Sequence, residues 1–456
     1  MADRKEQYMG QPSKADINER LYQYLAEDED ARVCKDIPDS ACNEQPKAFM
    51  LHLWALTLTK LGDSLVSARL VLPWMLSVAG APAFFISMLV PLRESLSLLP
   101  QLFVAQRMRE KPVRKWFWVA GSIGQGLALV MMAAGFLLLS EQFAWHLSAT
   151  GFGWWIIGWL FIFSLARGIC SVASKDVLGK TVSKTRRGRL TGLAAATAGM
   201  LTLATALVIL FAPEVAGSYA LFVFLLLGAA LLWFVAAFTY ACIPEVAGAT
   251  EGGGNAITEA LKSLALLWQD KQFGSFVATR ALLVSSAFSI PYIVVLIQRQ
   301  SEGALTGLGG MLLASGLAGM LAGRFWGKWS DSASNHVMAA AAFMASAVMA
   351  LALLLDFTMQ DWLGSVVVGG GLIFLAAVAH HGARVGRKTY LVDMASQENR
   401  AQYTAVSNTV IGVLLLLGML LGVLDQFLGT YAVLGLLIVV GVIAGIRALT
   451  LPNVTD

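Results

Sequence analysis

Apolar stretches of about 20 to 25 residues recur from Ala48 almost to the end of the chain, parted by short polar connections. Runs of this length are too long for core strands and match helices crossing a hydrocarbon core of ~30 Å. Twelve can be drawn, at 49–76, 82–106, 116–140, 152–173, 190–212, 219–243, 273–297, 304–327, 336–356, 363–386, 403–425 and 429–449. The pattern predicts an all-α membrane protein of twelve transmembrane helices.

The connections divide by charge. Arg107, Arg109, Lys111, Arg114 and Lys115 follow the second span, Lys175, Lys180, Lys184, Arg186, Arg187 and Arg189 the fourth, and Arg387, Lys388 and Arg400 the tenth. The loops 141–151, 213–218, 357–362 and 426–428 on the other side hold no Lys or Arg. Because basic loops stay inside, both termini are expected in the cytoplasm, with the bacterial inner (plasma) membrane as the expected location.

The longest polar connection, Pro244 to Gln272, contains a Gly-rich piece and then Ile257, Leu261, Leu264 and Trp268 on one face of an amphipathic run. The organisation expected is an acidic cytoplasmic tail (1–47), a six-helix bundle (48–243), a central cytoplasmic loop (244–272), a second six-helix bundle (273–449) and a short C-terminal tail (450–456). An internal repeat supports the two bundles. A gapless shift of 213 positions pairs Gly158 with Gly371, Phe161 with Phe374, Lys175 with Lys388, Arg187 with Arg400, Thr191 with Thr404 and Gly199 with Gly412.

Composition agrees with the pattern. Of 456 residues, 57% are hydrophobic and 14% charged, and the mean hydropathy is +0.67, well beyond a soluble domain. The first 47 residues hold 18 of the 62 charged side chains at net −4, which leaves a charge-poor body near +8. They lack the apolar core and cleavage site of a secretory signal. Within them Ser13 to Val33 has helical spacing. Cys34, Cys42, Cys170 and Cys242 show neither metal-ligand nor framework spacing and read as free thiols.

Against this background the charges inside the spans stand out. Lys60 and Asp63 lie in the first span, Arg93 and Glu94 in the second, all at similar mid-membrane depth. Each costs about 3 kcal/mol on insertion scales, so each needs a reason. Lys60 and Asp63 share a helical face and are close enough to pair. Arg93 and Glu94 point about 100° apart, so one can reach Asp63 while the other faces a cavity. Two readings stay open: a closed ion network that fixes the packing of the two helices, or a carboxylate, Glu94 before Asp63, that exchanges a proton during transport. The second half has no such cluster: at the shift of 218 that aligns Pro73 with Pro291 here, Lys60 and Asp63 align with Ala278 and Ala281. Elsewhere the buried charges are basic: Arg69, Arg167, Arg280 and Arg384, with His380 and His381 beside them. Arg-rich surroundings attract an anion, although Arg167 and Arg384 also lie where they could snorkel to the interface.

After the eighth span the chain reads Gly327-Lys-Trp-Ser-Asp331, and after the second it has Glu110 and the basic pair Arg114-Lys115. With twelve spans, a long central loop and a six-plus-six repeat, this resembles the major facilitator superfamily, whose signature in those two loops is Gly-x-Leu-Ala-Asp-Arg-x-Gly-Arg-Arg. The match keeps the glycine and acid in the eighth-span loop and lacks its arginines. The resemblance implies that Asp331, with Gly327 and with Glu110 as its counterpart, belongs to a conformational latch between halves. It also implies that the first, fourth, seventh and tenth helices line a central cavity, making Arg69, Arg167, Arg280, His380, His381 and Arg384 candidates for substrate binding. The Gly-Pro pair of the family's drug antiporters is missing between Leu190 and Ala212. Gly316, Gly319, Gly323 and Gly327 form a small-residue stripe suited to close helix contact.

The function expected is secondary active transport of a small solute, with an anion favoured by the Arg-rich surroundings, by alternating access with proton coupling, as in a symporter. A transporter-shaped sensor or assembly scaffold is the second reading. An intramembrane enzyme is the third, and no P-loop, His-Glu-x-x-His or Gly-x-Ser-x-Gly motif supports catalysis or direct ATP drive. The expected partners are the small-molecule substrate, the lipid bilayer and protons. No cofactor, metal or nucleic acid is expected.

Overall fold

The computed structural model describes residues 37, 39–99, 101, 104, 107, 108, 110–139, 146–211, 219–248, 263–301, 306–395 and 400–454. The predicted tail helix at Ser13 to Val33, Cys34 and most of the amphipathic loop run lie outside them. The helices are α1 Asp39–Asn43, α2 Gln45–Leu65, α3 Val71–Val78, α4 Phe84–Leu98, α5 Lys115–Leu139, α6 Ala149–Thr181, α7 Lys184–Phe211 and α8 Tyr219–Ala241. After the central connection come α9 Leu266–Gln269, α10 Lys271–Leu282, α11 Ser285–Gln300, α12 Thr306–Thr358, α13 Gln360–Gly364, α14 Val366–Met394, α15 Arg400–Leu417 and α16 Leu420–Thr450. Among the described residues eight helices are long and apolar enough to cross a membrane. The charged first and second spans and the shorter eighth and eleventh complete the set of a multi-pass membrane protein.

Local chemistry fixes many of the ends. Pro46 opens α2, where its missing N–H costs nothing. Ser148, Asp270 and Ser365 cap α6, α10 and α14 by accepting backbone N–H groups. Two spans share α12, where Ala333 leaves helical geometry (φ −157°, ψ 72°) and turns the chain. Two more share α16, where Gly429 takes φ 81°, a conformation that favours glycine.

The first span of each half is broken. In the first half α2 ends at Leu65 and α3 restarts at Val71, with Pro73 just beyond; in the second α10 ends at Leu282 and α11 restarts at Ser285 ahead of Pro291. A proline has no N–H to donate, and its ring crowds the carbonyl four residues earlier. For Pro73 the crowded carbonyl, that of Arg69, lies in the break itself, whereas Pro291 stands inside α11 and faces Ala287 O, beyond the break. Freed carbonyls at such a break need donors, and the halves supply them differently. Arg93 donates to Val66 O at 2.9 Å, whereas in the second half the Ser286 hydroxyl donates to Leu283 O at 2.8 Å.

The core is joined at one end of the molecule and divided at the other. Trp74, Phe85 and Leu89 of the first half and Ile293, Val294 and Leu308 of the second belong to one buried apolar cluster. Towards the Lys/Arg-rich loops, here the basic end, Ala55, Trp118 and Tyr240 form a cluster of their own, and Phe276, Tyr390 and Ala444 form another. Hydrogen bonds between halves also lie away from the basic end, from Ser77 to Gln298 at 2.6 Å and from Ser95 to Gly412 O at 2.6 Å. There α16 presses on α4 so closely that a Cβ on Gly422 would fall 2.9 Å from Phe84 O. At the basic end Gly192 of α7 and Gly323 of α12 meet nothing within 4 Å. The molecule is closed at the far end and open at the basic one.

Glu245 ties down the first half at the basic end. Its buried side chain, 0% exposed, pairs with Lys180 at 3.0 Å and accepts the backbone N–H groups of Arg114 and Lys115 at 2.9 and 2.7 Å. Arg114 in turn pairs with Asp176 at 2.5 Å. One expectation is corrected here, the free-thiol reading of Cys42. Cys42 is disulfide-bonded, whereas Cys170 and Cys242 are free, so a tail cysteine without recognisable framework spacing is nevertheless paired. Separately, Trp155 braces α6 on α5, donating its indole N–H to Met131 O at 2.6 Å. Removing Glu245 strands two amides in a dry site and leaves Lys180 with Asp176 alone, so Glu245→Ala is expected to lower the unfolding free energy by about 2 kcal/mol, read from denaturation of the purified protein.

Candidate functional site

The site grows from the broken first span. Asp63 lies two residues before the end of α2, and its carboxylate accepts from Arg93 of α4 at 2.7 Å and, more closely still, from Arg167 of α6. Arg93 spends its other terminal nitrogen on Val66 O and lies over the Phe163 ring at 5.3 Å, a cation–π contact that α6 contributes. One carboxylate therefore holds three helices together. The expected Lys60–Asp63 pair is not formed: two arginines already occupy Asp63, and among the described residues Lys60 has no ion pair.

Arg69 sits in the break itself and pairs with Glu94 of α4 at 2.7 Å. The Glu94 side chain is 41% exposed and has one arginine; that of Asp63 is 22% exposed and has two. The adjacent pair Arg93 and Glu94 thus does point in two directions, one into the three-helix knot and one towards open space. A charged pair that is partly wetted separates at lower cost than a buried one.

That open space is a cavity of about 1290 Å³ between the halves, spanning Lys60, Asp63, Arg69, Arg93, Glu94 and Arg167 on one side and His381, Arg384, Arg387 and Lys388 on the other. Its lining carries seven Lys or Arg side chains against two carboxylates. Among the described side chains, those that α7 and α12 contribute to the lining are uncharged, small or apolar residues such as Ala195, Gly199, Gly319 and Met320. Inside a low-dielectric wall such an excess of cations focuses a positive field.

Other expected residues lie elsewhere. Arg280 is buried away from the cavity lining, donating to Ser407 at 2.6 Å and Asn408 at 2.8 Å. His380 faces Ser286 with its Nδ1 at 3.4 Å, while the neighbouring His381 reaches the cavity; tandem residues on a helix cannot share a face. Asp331 is exposed at the basic end and has no ion pair among the described residues, and Glu110 is exposed in a turn. A Cβ on Gly327 would meet nothing within 4 Å. The small-residue stripe makes its contact about three turns deeper, where a Cβ on Gly316 would fall 2.9 Å from Leu203.

Arg387 and Lys388 are cavity residues that sequence reasoning set in a loop. The hydropathy pattern ends the tenth span at 386 because charges follow, but α14 continues to Met394. The signal was available: His381, Arg384 and Lys388 repeat at i, i+3 and i+7, one helical face.

No protein-family model and no curated protein sequence matches the chain. Solved structures do match its fold. A POT family transporter in complex with 5-aminolevulinic acid superimposes with a TM-score of 0.68 at 12% identity, covering 93% of this chain and 100% of that one. The nucleoside transporter NupG gives a TM-score of 0.65 at 13% identity over 88% and 99% of the two chains. The inward-open xylose transporter XylE from E. coli gives 0.59 at 13% identity over 89% and 96%. The chain has the major facilitator superfamily fold, with twelve transmembrane helices.

The two carboxylates are expected to differ in structural weight. Asp63→Asn leaves Arg93 and Arg167 without a counter-ion and should cost about 2 kcal/mol or more, whereas Glu94→Gln releases one half-wetted arginine and should cost well under that. Thermal unfolding of both purified variants beside the wild type measures the order.

Proposed function

We propose that this protein is a secondary transporter that carries a small organic anion by alternating access, coupled to protons, with both termini and the basic end in the cytoplasm. The observation that carries the reading is the cavity between halves, rich in cations, open at one end and sealed by a shared apolar core at the other. Rocking the halves about that cavity would close the basic end and part the seal, and a midplane site between two repeats suits such a motion. The fold of the transporters it resembles supports transport, and the charge balance supports an anion.

The Arg69–Glu94 pair supports the proton step. Glu94 faces the cavity and has a single partner. On taking up a proton it gives up its charge, and Arg69 becomes free to meet the substrate. Asp63, held by two arginines, is the fixed member. In this reading Arg167 stabilises the knot and lines the cavity, and Asp331 with Gly327 and Glu110 forms the latch that engages when the basic end closes.

Reconstituted into liposomes with an imposed pH gradient, the protein should accumulate anionic members of a radiolabelled metabolite panel and leave neutral ones behind. Accumulation of neutral solutes alone would overturn the reading. Glu94→Gln should abolish the gradient-driven component while the protein stays folded and inserted; proton-driven flux at the wild-type rate in that variant would remove the coupling role from this pair.

A further inference from the structure

The cavity's cations fall into two groups. Arg69, Arg93 and Arg167 are already matched to Glu94 and Asp63. Lys60, Arg384, Arg387 and Lys388 line the same cavity and form no ion pair among the described residues; Asp63 reaches Lys60, and Glu94 reaches Arg384 and Arg387, only at longer electrostatic range, and the seven cations of the lining outnumber its two carboxylates. Three of them lie on one short stretch of α14, where 384 and 387 are i, i+3 and 384 and 388 are i, i+4. Like charges at those spacings repel. The fourth comes from α2 in the opposite half, within the electrostatic reach of Arg384 and Lys388. Four unpaired cations facing one space are costly to keep unless something anionic completes them.

We propose that Lys60, Arg384, Arg387 and Lys388 form a binding site for an organic dianion, a molecule bearing two negative charges on a compact apolar body. The inference rests on the anion-transport reading and narrows it. A single charge leaves most of the quartet unmatched. Two charges neutralise cations on both halves at once, so a dianion bridges α2 to α14 and draws the basic end together as a monoanion cannot. The described α7 and α12 side chains of the lining, being uncharged, accept carbon rather than hydroxyl groups. The arginine fork and the lysine amine suit carboxylate and phosphate alike, so dicarboxylates and phosphomonoesters share the chemistry.

The test is the unfolding midpoint of the purified full-length protein at fixed ionic strength and pH 7.5, with succinate against butyrate and phenyl phosphate against benzenesulfonate. Ligands that bind the folded state raise the midpoint by mass action. At least one dianion should raise it where its monoanionic counterpart does not, and whichever succeeds tells dicarboxylate from phosphomonoester. Arg384→Gln and Lys388→Gln should each weaken the apparent affinity about tenfold, while Arg447→Gln, outside the cavity, should leave it unchanged. Without ligand, the double variant R384Q/K388Q should unfold at or above the wild-type temperature because repulsion is relieved; a structural role would lower it.

Equal shifts from monoanions, an undiminished shift in the double variant, or no shift from either dianion would overturn the site. Equal monoanion shifts that vanish in the double variant would overturn the dianion while leaving anion transport, which the liposome assay reads separately.

Discussion

Asp63 receives two arginines from two other helices and stands just before the point at which the first span breaks. Pro73 forces the break, the break frees the carbonyl of Val66, and Arg93 serves both that carbonyl and the Asp63 carboxylate. Proline, break and ion knot are therefore one unit. A buried pair with one member missing leaves an uncompensated charge, so the unit is kept or lost whole. The second half meets the corresponding break with neutral serine hydroxyls. The two halves share a backbone device and differ in its electrostatics.

That difference sets up the cavity. Because Asp63 and Glu94 form their ion pairs with arginines of the first half, no carboxylate in the lining pairs directly with α14, and Glu94 acts on Arg384 and Arg387 only at longer range. The cations of α14 stay open to the cavity rather than to one another, and the wall opposite is too apolar to shield them. The first half presents a braced surface in which two carboxylates face four cations, and the second a lining whose described charged residues are all cations. A ligand entering from the basic end meets field before it meets shape.

Much of the fold was legible in the sequence because span length and loop charge are strong, additive signals. The Pro73/Pro291 match marked corresponding spans, but both were read as continuous, so the breaks after Leu65 and Leu282 were missed; the adjacency of Arg93 and Glu94 said that only one of them would reach Asp63, and the structure makes it Arg93. Pairing partners were less legible. Lys60 is nearer to Asp63 in sequence than either arginine, yet Arg167 arrives from 104 residues away, a distance that helix periodicity says nothing about. Span ends failed for a similar reason: hydropathy stops at Arg387 because it scores a helix by its average, while the fold lets a charged face continue along a water-filled wall. Arg280 shows the converse, a polar position found by the placement of its helix, whose side chain turns to Ser407 and Asn408 instead of the cavity.

The joined core at the far end has a consequence for how it can be lost. Lipid tails are as apolar as the side chains that form it, so within a bilayer it holds by close fit rather than by expelling water. A contact such as Gly422 on Phe84 O, where a Cβ would fall 2.9 Å away, therefore weighs more than the apolar area it covers: the far end is kept by shape, as the knot around Asp63 is kept by charge.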